Sequence, residues 1–175
     1  PGLDCAQART RRVEFEYKRH GTLAYMGAYD VHHGRLIGTI AEKTGIVPFA
    51  ELVTKAMTTE PYASARRVFW VVDNGSSHRG QPSIDRMTGA WPTATLVQLP
   101  VHTSWLNQIE VVFSIIARKA IRPVNFADLD ELAERLRGFE TLYNQDPRPF
   151  NWTFTRTDLL ALCDRIEARQ RTLAA

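Results

Sequence analysis

A chain of 175 residues, 44% hydrophobic and 23% charged, is sized for one domain and apolar enough to bury a core, which excludes a disordered chain. No stretch approaches the roughly 18 apolar residues of a membrane span. The two isolated cysteines, Cys5 and Cys163, give neither a disulfide framework nor a CxxC metal pattern, which suits a reducing cytosol. The net charge of +3 is too mild to separate an anion binder from an ordinary basic domain.

Residues 12–20 and 22–31 read as extended segments rich in aromatic and β-branched side chains. His32-His33-Gly34 is a hairpin turn, and Arg35 to Ile40 returns as a strand. Helical spacing from Pro48 to Met57 puts Phe49, Leu52, Val53 and Ala56 on one face. Val68 to Val72 is a continuous apolar run, the pattern of a strand buried on both faces. Pro82 to Met87 is a short helix, and Thr95 to Leu99 is a strand stopped by Pro100.

Helices follow. Ser104 is placed to cap one running to about Ile121, whose apolar stripe is Trp105, Leu106, Ile109, Val112, Phe113 and Ile116. Asn125 is placed to cap a helix from about Phe126 to Tyr143, and a last helix covers about Asp158 to Thr172. Basic residues gather at Arg9, Arg11, Arg12, Lys18, Arg19 and His20, and again at Arg118, Lys119 and Arg122. The second group also suits a helix C-terminus. The order of elements predicts a single α/β domain with a mixed sheet over residues 1–175.

Two carboxylates stand out. Asp73 sits where the apolar strand opens into a polar turn, the edge of an α/β sheet where ligands gather. Asp-Asn-Gly is also ordinary turn chemistry. Glu110 lies with Asn107 and Ser114 on a narrow polar stripe beside the apolar face. By itself it reads first as a solvated helix glutamate. As a pair, one acid at a strand end and one on a later helix can share hard divalent cations. Two such ions about 4 Å apart serve phosphoryl transfer.

The stretch from Val71 through Asp73, Asn74 and Gly75 to His78 resembles the second-aspartate motif of DDE-type insertion-sequence transposases related to mariner elements. The stretch from Leu99 to Glu110, with Ser104, Leu106, Asn107 and Ile109, resembles their third-acid motif. Tyr17 to Thr22 and Ala28 to Val31 resemble the strands that follow the first catalytic strand. The resemblance implies an RNase H-like fold, a mixed five-stranded sheet of order 3-2-1-4-5 flanked by helices. It implies a D-D-E triad holding two Mg²⁺ or Mn²⁺ ions. The reaction would be DNA strand cleavage and strand transfer, with the terminal inverted repeats and target DNA as partners. A homodimer is compatible with it, a membrane partner is not, and the setting is the bacterial cytoplasm near the nucleoid. Asp73 would be the second acid and Glu110 the third. Asn107, Asn74, His78, Lys18 and Arg19 would lie near the metals or the DNA. His78 and His102 also read as loop histidines with local hydrogen bonds.

The first aspartate of that triad has no match. Asp4 would follow the strand rather than lie in it, and Asp30 falls at a hairpin turn. The expectation is therefore that the central strand and a helix-turn-helix region lie upstream of residue 1, that residues 3–10 replace that strand, or that the chain is a remnant. Two other functions stay open: a non-catalytic DNA-binding or dimerisation module, and another RNase H-like endonuclease.

Overall fold

The computed structural model describes residues 21–100, 107–122, 125–151, 155–158, 160, 161 and 165. The expectations for residues 12–20, Ser104 and most of the last helix lie outside them, as do Asp4, Lys18, Arg19 and His102. Among the described residues, strands β1 (Ala24–Asp30) and β2 (Arg35–Ala41) lead to helix α1 (Ile46–Met57) and strand β3 (Val68–Val72). Helix α2 (Gln81–Ala90), strand β4 (Ala94–Gln98), helix α3 (Ile109–Ile116) and helix α4 (Leu129–Tyr143) follow. α3 runs on into a π-helical turn, Ala117–Ile121. No helix among the described residues is long and apolar enough to cross a membrane.

The strands form two ladders. β1 and β2 pair antiparallel from Ala24 opposite Ala41 to Asp30 opposite Arg35. β3 and β4 pair in parallel from Val68 opposite Ala94 to Val72 opposite Gln98. Successive side chains of a strand point to opposite faces, and the hairpin is covered on both. Tyr25, Tyr29, Leu36 and Ile40 pack with Ile109, Val112 and Ile116 of α3 and Leu136 of α4. Met26, Ala28 and Ile37 pack against a second cluster built from α1, β3, α2 and β4, with Leu52, Val53, Trp70, Val72, Met87 and Leu96 at its centre. The hairpin is thus one layer between two helical layers.

The turn holds itself. Gly34 N–H donates to Asp30 O at 2.8 Å, with Gly34 at φ 72°. The Asp30 carboxylate accepts the His32 and His33 amides, His33 Nδ1–H and the Tyr62 hydroxyl. Every lone-pair direction is taken, so Asp30 is a turn brace. The outer edge of β2 is also occupied. Asn144, just past α4, accepts from Leu36 N–H at 2.9 Å and donates to Leu36 O at 2.7 Å. Lys55 of α1 donates to Gly38 O and to Glu140 of α4, tying both helical layers across that edge. An edge strand guarded this way is a poor template for another chain.

Three expectations change. The run Val68 to Val72 is not buried on both faces: Trp70 and Val72 point into the core, but Phe69 is 62% and Val71 49% exposed. α1 and α2 pack on one side of the parallel ladder, while α3 packs on the hairpin instead. Asn125 is not the cap of α4. Asp128 is, accepting from Glu131 N–H at 2.8 Å, while Glu131 reaches back to Ala127 N–H at 2.7 Å. This reciprocal pairing satisfies the Glu131 amide in the first turn and the Ala127 amide just before the cap, which Asn125 cannot do from its position. The expected single helix to Ile121 is α3 followed by the π turn.

Candidate active site

β3 ends at Val72, and the next residue carries the carboxylate. Leu99 N–H donates to Val72 O, extending the parallel ladder one residue past β4. The Asn74 side chain donates to Leu99 O at 2.9 Å and clips the two strand ends together. Asp73 and the chain leading toward α3 therefore leave the sheet from the same edge.

The loop after Asp73 is tightly braced. Asp73 Oδ1 accepts Gly75 N–H at 3.0 Å and faces His78 Nε2 at 2.5 Å. A carboxylate only accepts, so Nε2 carries the proton. On the other side of the ring, Nδ1 lies 3.0 Å from Ser77 Oγ. Ser77 is buried, and its carbonyl accepts from Arg86 of α2, which also holds the buried Ser83 hydroxyl at 2.8 Å. Gln98 of β4 donates to His78 O at 3.1 Å. The Phe49 ring of α1 lies 4.9 Å from the imidazole, centroid to centroid. Helix α1, helix α2 and strand β4 thus all fix one loop. Burial pushes the Asp73 carboxyl up, but the hydrogen bonds from His78 and the Gly75 amide outweigh it and hold it below the ordinary carboxylate range. The Asp73 side chain is 39% exposed, and among the described residues Oδ2 has no hydrogen bond.

Glu110 lies in the first turn of α3, exposed, and its carboxylate has no hydrogen bond or ion pair among the described residues. Its amide donates to Asn107 O at 3.1 Å, and Asn107 Oδ1 accepts from Ile109 N–H. The Asn107 side chain is thus used to start the helix, and the Asn74 amide to join the strands. The structure brings Asp73, Asn74 and His78 together. It places Glu110 on α3 and Asn107 two residues before that helix begins, and among the described residues no hydrogen bond joins the two groups. Asp73 Oδ2 and the Glu110 carboxylate are hard oxygen donors with open positions, the chemistry that Mg²⁺ and Mn²⁺ take. Among the described residues no three His, Cys, Asp or Glu side chains are grouped to hold an ion.

Ser77, Gln98, Ser83 and Phe49 support the site and were not singled out from sequence. Gln98 had one usable signal, since a parallel register beside Val72 sets it next to Asp73.

A family model described as DDE superfamily endonuclease matches residues 6–133. Domains of this kind act on DNA and generally use divalent metals. No curated protein and no solved structure matches the chain. The match covers most of the chain, including the Asp73 loop and the start of α3, and the chain belongs to the DDE superfamily endonucleases.

Proposed function

We propose that this chain is the catalytic domain of an insertion-sequence transposase related to mariner elements, cutting DNA strands and joining them to a target. The observation that carries the reading is the Asp73 loop. A carboxylate at the carboxyl end of a parallel ladder, 39% exposed, leaves one oxygen without a hydrogen bond among the described residues, while three elements hold the loop and the histidine beside it. Such rigidity suits a reaction in which positioning and charge neutralisation carry the rate. Asp73 and Glu110 would hold Mg²⁺ or Mn²⁺, and the metal would activate the attacking oxygen and stabilise the leaving one. The attacking group is first water and then a DNA 3′-hydroxyl. Arginine and lysine contacts to phosphate would make binding steeply salt-dependent.

The sheet we infer is the RNase H-like order 3-2-1-4-5, with β1–β2 and β3–β4 as its two flanks. Support comes from the shared α1 layer: Met26, Ala28 and Ile37 of the hairpin reach the same cluster as Trp70 and Val72 of β3.

Nicking of supercoiled plasmid in Mn²⁺ or Mg²⁺ tests the activity. Asp73→Asn and Glu110→Gln should each lower the rate by more than about 100-fold, the loss expected when a transition-state charge contact goes. Nicking that survives both changes refutes the assignment. No nicking by the unaltered chain favours a DNA-binding or dimerisation module. Preference for one inverted repeat over random DNA separates a transposase from another RNase H-like endonuclease.

A further inference from the structure

The Asp73 carboxylate is not free to rotate. Ser77 Oγ, the His78 ring and Asp73 Oδ1 form one chain, with Oγ 3.0 Å from Nδ1 and Nε2–H donating to the carboxylate at 2.5 Å. The ring is 13% exposed and lies against Phe49, so it has little room to swing away. Gly75 makes the approach possible. A Cβ there would sit 2.8 Å from His78 Nε2 and 3.1 Å from Asp73 Oδ1. The contact therefore depends on a residue without a side chain at the one place where the histidine crosses over the acid.

We propose that His78 is a positioning residue. It pins Asp73 Oδ1 so that Oδ2 faces outward to receive a divalent cation, an inference that rests on Asp73 being a metal-binding acid. Partners that orient a ligating carboxylate commonly change metal affinity by roughly 10–100-fold when removed. A histidine that only braced the loop would affect folding and leave affinity intact in any variant that folds.

The test is Mn²⁺ affinity of this chain, read from the free-ion electron paramagnetic resonance signal, with thermal unfolding beside it. Asp73→Asn should remove the tight binding. His78→Ala should weaken it by about 10–100-fold. His78→Gln, whose amide nitrogen falls near Nε2, should restore most of the affinity. His78→Asn, whose amide nitrogen falls near Nδ1, should not. Equal affinity of the Gln and Asn variants overturns the proposal, and this comparison holds even where the Ala variant does not fold. Tighter binding by the Ala or Asn variant than by the unaltered chain also overturns it, since His78 would then compete with the metal. Identical Mn²⁺ binding by the unaltered chain and Asp73→Asn removes Asp73 as a ligand, and this inference with it. Plasmid nicking should follow the same order as affinity and recover in the weakened variants at high Mn²⁺.

Discussion

Replacing Asn144 by alanine isolates one side chain that takes the place of a neighbouring strand. Its amide makes both an accepting and a donating hydrogen bond to Leu36, at 2.9 and 2.7 Å. Leu36 is 1% exposed, so water does not readily replace the lost partner. A typical hydrogen bond contributes about 0.5–1.5 kcal/mol, and a buried group left unpaired costs about 1–3 kcal/mol. Two backbone groups at a half-buried site then give a loss of roughly 2–4 kcal/mol. For a chain of this size each kcal/mol moves Tm by about 2–4 °C, so the expected fall is about 5–15 °C. Asn144→Asp should not rescue. It keeps an acceptor for the Leu36 amide but sets a carboxylate oxygen against the Leu36 carbonyl. The assay is thermal unfolding by circular dichroism, with hydrogen exchange at the Leu36 amide, which should speed up in both variants. Gln145→Ala, an exposed neighbour, is the control. A Tm for Asn144→Ala within about 2 °C of the unaltered chain would refute the edge-pairing argument.

Two further outcomes concern the hairpin turn. Burial pushes the Asp30 carboxyl up, but the Tyr62 hydroxyl and the His33 and His32 donors bring it down from 3.8 to about 2. The folded state thus favours the ionised form. This stability is fully present above the unfolded value near 3.8 and is lost as pH falls through about 2. Tm measured across that interval should drop more steeply for the unaltered chain than for Asp30→Asn. Parallel curves would remove Asp30 as a source of acid sensitivity. Gly34→Ala should lower Tm markedly. The conformation at φ 72° costs a side chain about 1–2 kcal/mol, and the new Cβ would lie 2.1 Å from the Arg148 carbonyl carbon. Gly34→Asn, which tolerates the dihedral but not the contact, should also be destabilised.

The strands and helices with clear periods were legible. Aromatic and β-branched content with a His-His-Gly turn marks β1 and β2, and the 3.6 spacing marks α1, whose buried Leu52, Val53 and Ala56 lie on the expected face. What failed was what periodicity does not encode. An unbroken apolar run looks the same whether one face or both are covered, so the exposure of Phe69 and Val71 depends on where α3 docks. Asn125 and Asp128 are comparable cap residues, and the deciding feature is the acid three positions after Asp128, Glu131, which completes the box. At the site, Asp73 was visible from its place at a strand end. The imidazole that holds it was visible as a residue but not as a partner. That contact crosses a loop whose path is set by Gly75, by Gln98 of another strand and by a ring from α1. Glu110 was legible as a position on a stripe, and its chemistry rests on the motif it shares with the family.

The two ladders also differ in how they form. β1 and β2 are joined by a tight turn and can zip locally, on the microsecond scale of hairpins. β3 and β4 pair in parallel only after the chain has crossed through α2, a non-local closure that is slower. Asp73 belongs to the slow pair, and its loop leans on Gln98, which arrives with β4. The acid therefore takes up its geometry late in folding, after the hairpin has formed. A fluorescence change from Trp70 in β3 should accordingly lag the hairpin's own signal in a refolding experiment.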